Sequence, residues 1–275
     1  MSTPRPDPVM GKAIRQIALL RGQVGPPICV LCGQQVDRWT RHPDAHLRSP
    51  FMQLIGAVGS DLEHYLCPKC HCNDRDRHLW LYMDKAGLLL RIQGSRILHI
   101  APETHVMHRL RQLTPMEYIC GDLHPVSHEY LKINCEHLEF TDDCFDLAIC
   151  NHVLEHVSRP DRAIAELARC LKPRGLLIAQ TPYAPLLMKT FELSTGISPP
   201  FAQLFYGQED HVRLFGADIV DYFRNAGLTG GLFPHDLVLP GMDAGRYGCN
   251  AREPFFLFFQ RSVRDISLLS GAIPH

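Results

Sequence analysis

The sequence contains no apolar run of the roughly 20 residues that a helix needs to cross a lipid bilayer. Its first residues, MSTPRPDPVMGKAIRQ, also lack the basic segment followed by an apolar segment that marks a secretory signal. We therefore expect a protein that does not insert into a membrane and that resides in the cytoplasm.

Charge of one sign is also scarce, because 28 lysines and arginines balance 29 aspartates and glutamates. The net charge of -1 provides no general basic field of the kind found on proteins that coat nucleic acid. Nucleic acid is therefore not the expected partner, and the sequence leaves the oligomeric state open. The 275 residues, 45% of them hydrophobic, suffice for one full catalytic domain and a small appendage.

A disulfide framework is not indicated either, since the 11 cysteines form an odd set that is scattered over the chain. Cys29 and Cys32, and likewise Cys67 and Cys70, instead form two C-x2-C pairs, each offering two thiolates to one tetrahedral ion. The pattern predicts a zinc site made of these four cysteines. Such a site is structural, because four sulfur ligands leave no open position on the ion.

Two residues compete for the fourth ligand position, His71 and Cys72, because both directly follow Cys70. Two other interpretations of the cysteines are buried free thiols, which pack as small apolar groups, and a redox-active dithiol. The presence of two C-x2-C pairs argues against free thiols. Neither pair opens a helix after a strand, the setting that lowers a thiol pKa, which argues against redox chemistry.

From residue 95 onward, short apolar runs alternate with segments of helical spacing. The runs RILHI, EYICGD, DLAICN, GLLIAQT and FFLFFQ predict strands. Residues 108–113, the stretch that ends at Lys172-Pro173, and residues 218–225 predict helices. Strands separated by helices favour a Rossmann-like, doubly wound α/β fold with a mostly parallel sheet.

The chain divides into two predicted units. Residues 1–90 contain a leading helix (12–21) and the cysteine-rich module, and residues 91–275 form the α/β domain. Residues 183–214 interrupt the alternation, and we expect them to cover the site. The aromatic residues of this cover segment either line an acceptor pocket or pack as core: Tyr183, Phe201, Phe205 and Tyr206.

The turn after the first predicted strand, LHIAPE (98–103), lacks the glycines that cradle a pyrophosphate, so NAD and FAD are disfavoured. A nucleoside cofactor without phosphate needs less close backbone approach. Asp122 ends the second strand, where a carboxylate accepts hydrogen bonds from both hydroxyls of a ribose. A solvated loop aspartate is the alternative interpretation.

The segment LEFTDDCFDLAICNHVLEHV (138–157) and the following LKPRG (171–175) resemble the class I S-adenosylmethionine-dependent methyltransferases, in the type 11 branch. Arg174 stands where that branch usually has glycine. LHIAPE, GQEDHVRLFG (207–216) and CPKC (67–70) followed by Arg77-His78 are similar to a narrower bacterial subset with an N-terminal zinc-binding cysteine module. The resemblance covers nearly the whole chain and implies S-adenosylmethionine and zinc as cofactors.

The resemblance also implies where the cofactor binds. His99 and Ala101 would lie beside its methionine end, where the superfamily usually has an acid and a glycine, and Glu103 would replace the missing acid. The segment at 134–136 would contact adenine, and residues 151 and 152 would lie near the sulfonium. The full set of expected cofactor residues is His99, Ala101, Glu103, Asp122, Leu123, Asn134, Cys135, Glu136, Asn151 and His152.

Methyl transfer is an in-line displacement, which needs an aligned acceptor and, for some acceptors, a base. His152, His156 and His211 are candidate bases, although His156 alternatively only supports the site. Asp210, His211 and Arg213 combine an orienting acid, a base, and a guanidinium able to grip a carboxylate or phosphate. A salt-bridged loop anchor is the alternative for this triplet.

We expect a methyltransferase that acts on an oxygen or nitrogen of a small-molecule acceptor. The first alternative is an RNA or protein methyltransferase that docks its substrate through the zinc module. Arg75, Arg77 and His78, which lie beside Cys70, give that alternative some support. The second alternative is a non-catalytic zinc scaffold on a methyltransferase fold, which the missing glycines at the first turn suggest.

Overall fold

A computed structural model of the chain describes residues 25–47, 49–193 and 197–261. The leading helix predicted for residues 12–21 lies outside these ranges. Within them, every helix is too short or too polar to cross a membrane.

A seven-stranded sheet forms the centre of the described part of the chain. Its strands are β1 (Arg96–Ile100), β2 (Glu117–Asp122), β3 (Leu131–Lys132), β4 (Phe145–Cys150), β5 (Leu171–Ile178), β6 (Leu228–Phe233) and β7 (Phe255–Gln260). They lie in the order β3-β2-β1-β4-β5-β7-β6. Strands β1 to β5 pair in parallel, whereas β7 runs antiparallel to β5 and β6. The predicted Rossmann-like, mostly parallel sheet is thereby confirmed.

Helices cover both faces of this sheet. They are α1 (Pro50–Leu54), α2 (Asp74–Lys85), α3 (Thr104–Arg111), α4 (Pro160–Cys170), α5 (Pro199–Phe205), α6 (Ile219–Asn225), α7 (His235–Val238) and α8 (Ala244–Tyr247), with 3-10 helices at Pro43–Leu47 and Leu89–Arg91. One predicted boundary differs, because α4 ends at Cys170 and β5 begins at the next residue. Lys172-Pro173, predicted to end the helix, therefore lies within β5.

Alternate residues of β1 and β4 point to opposite faces of the sheet, as the period of two requires. Ile97 and Leu147 pack in the cluster that contains residues of α2 and α3. Leu98 and Ala148 pack in the cluster that contains residues of α4 and α6. Since apolar side chains cover both faces of the sheet, any polar side chain on its inner strands needs a hydrogen-bond partner.

The cysteine-rich module rests on the sheet domain near α8. The Trp39 Nε1 donates to the Gly245 carbonyl at 2.8 Å, and the Ile28 amide donates to the Arg246 carbonyl at 3.0 Å. Helix α2 contributes Leu79, among others, to the sheet core. The division at residue 90 stays a prediction, and α2 packs with the second unit although it precedes that position.

The cover segment contains α5 and contacts the module. The rings of Phe51, in α1, and Phe205, in α5, lie 5.0 Å apart, and Met52 packs in the same cluster as the buried Tyr206. Phe201, Phe205 and Tyr206 therefore form a small hydrophobic core with α1, whereas Tyr183 packs against the core of the sheet. Both arrangements correspond to the second of the two interpretations given to these residues from the sequence.

Candidate active site and metal centre

Two matching turns hold the paired cysteines. The Gly33 amide donates to the Cys29 carbonyl at 2.7 Å, and the His71 amide donates to the Cys67 carbonyl at 2.9 Å. Gly33 and His71 both adopt left-handed backbone, with φ of +73° and +62°. The residue after each C-x2-C pair thus reverses the chain in the same way, and both pairs face one point.

Five thiols meet at that point. The Cys29 Sγ lies 3.4 Å from the Cys72 Sγ and 3.8 Å from the Cys70 Sγ, and the Cys32 Sγ lies 3.9 Å from the Cys67 Sγ. The sulfur atoms of Cys29, Cys67, Cys70 and Cys72 all lie within 4.8 Å of one another, so this group contains Cys72 in the place where Cys32 was predicted. Sulfur ligands on one tetrahedral zinc ion are about 3.8 Å apart, given a Zn–S bond of about 2.3 Å. The donor set fits a zinc ion.

The structure separates the two rivals for the fourth ligand. Cys72 is buried within the thiol cluster, whereas His71 is exposed at the tip of its turn. The neighbouring Cys72 thiol and burial raise the pKa of Cys29 well above its ordinary value. Several thiolates so close together therefore need a cation between them.

Arg77 joins the thiol cluster to the sheet domain. Its fully buried guanidinium donates to the Cys72 carbonyl at 2.8 Å and to the Gly248 carbonyl at 2.7 Å, and it stacks 4.1 Å from the centre of the Trp39 ring. His78 is likewise buried, against Glu253. These side chains are unavailable to a nucleic acid, which corrects their use as support for a docking surface.

A chain of polar side chains runs along the carboxyl edge of the sheet. The His99 imidazole, buried at the end of β1, lies 2.6 Å from the Tyr118 hydroxyl and 2.7 Å from the Glu103 Oε2. The Asn151 Nδ2, just after β4, donates to the Glu103 Oε1 at 3.0 Å. Burial alone raises the pKa of Glu103, but His99 and Asn151 outweigh it and bring that pKa to about 2. Glu103 therefore keeps its negative charge at the first turn.

The backbone at this turn takes the form that favours glycine. Ala101 has a φ of +46°, and its amide donates to the Gly121 carbonyl at 2.7 Å. His152 also has positive φ, +52°, and its amide donates to the Gln180 carbonyl at 2.7 Å. Left-handed backbone at such residues is costly and clusters at functional sites. The two turns lie at the ends of adjacent strands.

The predicted ribose and adenine residues flank the next strand ends. Asp122 ends β2 half-buried, and its Oδ1 accepts from the His124 amide at 2.7 Å. Leu123 is exposed beside it. This arrangement leaves the second carboxylate oxygen of Asp122 available to a ligand.

The predicted adenine segment has mixed exposure. The Asn134 side chain is exposed, and its Oδ1 accepts from the Glu136 amide at 2.9 Å. The Glu136 Oε1 accepts from the Ser158 amide at 2.7 Å, so this carboxylate holds a loop. Cys135 is buried beside Cys150 and cannot contact a ligand through its side chain.

Beyond His152, a second cluster contains Glu155, His156 and His211, whose ligand-type atoms lie within 4.8 Å of one another. The His156 Nδ1 lies 3.3 Å from the Asp210 Oδ2, and the imidazoles of His156 and His211 meet edge to face at 4.8 Å. Asp210 was expected to orient His211. In the structure it contacts His156 instead, and the His211 Nδ1 lies 2.8 Å from the Tyr206 carbonyl oxygen.

Arg213, the third residue of the predicted triplet, is engaged entirely by protein groups. Its Nε and one Nη bind the Glu192 carboxylate at 2.8 and 3.0 Å. It also donates to the carbonyls of Leu154, Val157 and Ser158, and it is 1% exposed. Every nitrogen of the guanidinium is engaged, which is the geometry of a loop anchor.

Several residues of the edge were absent from the sequence-based set. Glu155 binds the Thr181 hydroxyl at 2.9 Å, and the Gln180 amide donates to the Asn151 Oδ1 at 2.9 Å. Their position in the sequence could have identified them, because they lie within a few residues of the end of β4 or β5, and ligands bind at the carboxyl edge of a parallel sheet. Glu155 also belongs to the LEH motif itself.

Part of the chain is similar to known proteins. Residues 86–179 match the methyltransferase domain family. The ubiquinone/menaquinone biosynthesis C-methyltransferase UbiE of Francisella tularensis is 36% identical over 76 residues, which cover 26% of this chain and 30% of that protein. The corresponding enzyme of Vibrio campbellii is 29% identical over 116 residues, 41% of this chain and 43% of that protein. The chain thus spans less than half the length of these relatives.

Part of the chain also aligns with solved structures. An S-adenosylmethionine dependent methyltransferase from Mesorhizobium loti aligns with 64% of this chain and 94% of its own length, at 15% identity and a TM-score of 0.45.

Proposed function

We propose that this chain, which carries a methyltransferase domain at residues 86–179, transfers a methyl group from S-adenosylmethionine to an oxygen or nitrogen of a small-molecule acceptor. The observation that supports this most is the polar chain at the carboxyl edge. Glu103, His99 and Asn151 present a fixed negative charge there, beside two left-handed turns.

The residues at this edge fit the parts of the cofactor. Glu103 offers an anion to the ammonium of the methionine portion, and the free oxygen of Asp122 accepts from the ribose. Ala101 holds positive φ without being glycine, so the departure from the usual glycine leaves the shape of the turn intact. Bound S-adenosylmethionine supplies an electrophilic methyl group on a sulfonium, and the protein aligns the acceptor with it.

The acceptor side lies at His156, Asp210 and His211. These side chains follow β4 or lie in the cover segment, next to the turn at His152 that we place near the sulfonium. The cover segment packs against α1 and reaches this side through Tyr206, whose carbonyl oxygen lies 2.8 Å from the His211 Nδ1.

The zinc module has a structural role in this proposal. Cys29, Cys32, Cys67 and Cys70 hold one zinc ion, and Cys72 packs against them. The ion stabilises a segment too small to fold on its own core. It takes no part in transfer, because four sulfur ligands leave no open position on the ion.

The test is to incubate the full chain with methyl-labelled S-adenosylmethionine and a cell extract from which macromolecules have been removed by filtration. Label in a small molecule supports the proposal. Label only in RNA or protein from the unfiltered extract would instead favour a macromolecular acceptor. Absence of both labelling and cofactor binding would favour a non-catalytic scaffold.

A further inference from the structure

Three side chains at the acceptor side have the composition of a metal site that is separate from the cysteines. Glu155, His156 and His211 each bring one ligand-type atom within 4.8 Å of the other two. We propose that these residues bind a divalent cation through one carboxylate oxygen and two imidazole nitrogens.

The two histidines are oriented as metal ligands are. The His211 Nδ1 lies 2.8 Å from the Tyr206 carbonyl oxygen, a contact in which the ring must be the donor. The His156 Nδ1 lies 3.3 Å from both the carbonyl oxygen and the Oδ2 of Asp210, again an acceptor-only environment. Protonation at Nδ1 leaves the Nε2 lone pair of each ring free, and carbonyl or carboxylate partners of this kind fix metal-binding imidazoles.

Glu155 supplies the negative charge. It is 1% exposed, and the Thr181 hydroxyl donates to its Oε2 at 2.9 Å. Its Oε1 lies 3.6 Å from the His152 Nδ1, a buried atom with no hydrogen-bond partner in the described part of the chain. A buried carboxylate needs a cation beside it, and neutral imidazoles offer lone pairs instead of charge. A divalent ion satisfies the carboxylate and both rings together.

The site is open on one side. The His156 side chain is 32% exposed and Asp210 is 69% exposed, so solvent and an acceptor reach the cluster from that direction. Three protein ligands leave open positions on a six-coordinate ion. A mixed set of imidazole and carboxylate suits manganese, iron or zinc better than calcium.

The proposed ion indicates the chemical class of the acceptor, and this inference rests on the proposed function. A hydroxyl group that binds an open position loses its proton more readily, and the proton passes to solvent water. The acceptor oxygen then forms the bond to the methyl carbon as the carbon–sulfur bond breaks. The pair of electrons of that bond stays on sulfur, which becomes a neutral thioether. The acceptor is therefore a hydroxyl compound able to chelate or contact a metal.

Calorimetric titration with Mn²⁺ tests the site, because manganese prefers nitrogen and oxygen ligands and leaves a zinc-loaded thiolate cluster in place. The full chain purified with its zinc should bind one Mn²⁺. His211→Gln and Glu155→Gln should bind it at least about tenfold more weakly. His108→Gln, exposed on α3, is the matched control and should bind as the wild type does.

Absence of Mn²⁺ binding by the wild-type chain overturns the proposal, and so does unchanged affinity in both variants. If the buried variants unfold, His156→Gln provides the test, because this residue is only partly buried and its substitution must also lower the Mn²⁺ affinity. Binding of S-adenosylhomocysteine to metal-free protein is measured alongside. Cofactor binding without Mn²⁺ binding refutes the metal site alone, whereas Mn²⁺ binding without cofactor binding refutes the proposed function alone.

Discussion

The Asn151 Nδ2 donates to the Glu103 Oε1 at 3.0 Å and thereby ties the turn after β1 to the residue that follows β4. The same Asn151 side chain accepts from the Gln180 amide after β5. One amide side chain thus fixes the ends of three neighbouring strands. The turn that lacks the usual glycine is held in place by side chains.

The ionised Glu103 should make stability depend on acid pH. Its pKa of about 2 in the fold lies below its ordinary 4.5, so the stabilisation is complete above pH 4.5 and disappears as pH falls toward 2. Glu103→Gln should therefore be less stable than the wild type at pH 7, with a difference that shrinks below pH 4.5. Urea unfolding between pH 7 and pH 3 measures this. A difference that stays constant or grows in acid contradicts it, and Glu139→Gln, on the surface, is the control.

Zinc binding should require the paired cysteines. Cys67→Ser should lose the metal and the folded structure of the module, because a serine hydroxyl is a poor zinc ligand at neutral pH. Cys144→Ser, just before β4, should keep about one zinc per chain. Metal analysis by mass spectrometry after gel filtration gives the stoichiometry. Retention of zinc by Cys67→Ser would remove this residue from the site.

The fourth ligand can be tested separately. We expect both members of each C-x2-C pair to be ligands because their turns match, so Cys32→Ser should lose zinc and Cys72→Ser should keep it. The same metal analysis decides between them. The reverse outcome would show that the buried Cys72, 3.4 Å from Cys29, takes the place of Cys32.

The ribose contact should depend on Asp122. A hydrogen bond to a charged group contributes about 1.5 to 3 kcal/mol, so Asp122→Ala should weaken S-adenosylhomocysteine binding roughly ten- to a hundredfold. Calorimetry measures the affinity. Asp221→Ala, exposed on α6, should bind normally. Equal affinities in the two variants would place the ribose elsewhere.

Arg213 should prove a stabilising residue. Removing a buried guanidinium leaves several carbonyls and Glu192 without their donor, so Arg213→Ala should lower the free energy of unfolding by about 3 kcal/mol. Arg224→Ala, a surface substitution, should change it by less than about 0.5 kcal/mol. Denaturant unfolding provides both values. A fully stable Arg213→Ala with a raised Michaelis constant would restore the guanidinium to acceptor binding.

His211 should matter for turnover. His211→Ala should lower the rate about a hundredfold while cofactor affinity stays nearly unchanged, since the imidazole lies on the acceptor side. The rate is measured with whichever acceptor the labelling experiment identifies, and His108→Ala serves as the control. Wild-type turnover by a folded His211→Ala would move the role to His152 or His156.

Residues 86–179 match the methyltransferase domain family, in line with the prediction from the sequence, and the strand FFLFFQ is confirmed with its bounds, Phe255–Gln260. A dense apolar run between turns identifies such a strand without knowledge of its neighbours. Strand β6 was not predicted from the sequence, because it contains Gly230. This glycine has a φ of +121°, and any Cβ there would collide with the Leu257 carbonyl. Its place in the sheet depends on a close approach that the sequence does not display.

The carboxyl edge of the sheet could be located from the ends of predicted strands, but the contacts between its side chains could not. Asp210 precedes His211 in sequence, yet it contacts His156, because adjacent residues in an irregular segment point in different directions. Arg77 and His78 resemble a basic patch in sequence and are fully buried in the fold. A charged residue beside a motif is exposed only if no backbone carbonyl or carboxylate from a distant part of the sequence pairs with it. The sequence alone does not show whether such a partner is present.

The contacts of the cysteine module also determine when this protein can finish folding. Arg77 binds the Gly248 carbonyl across 171 positions, and Trp39 binds the Gly245 carbonyl across 206. During synthesis from the N-terminal end, the module leaves the ribosome long before its partners exist. Its last contacts close very long loops, so we expect docking of the module to be a late and slow step that leaves the Trp39 surface open to chaperones or aggregation until then.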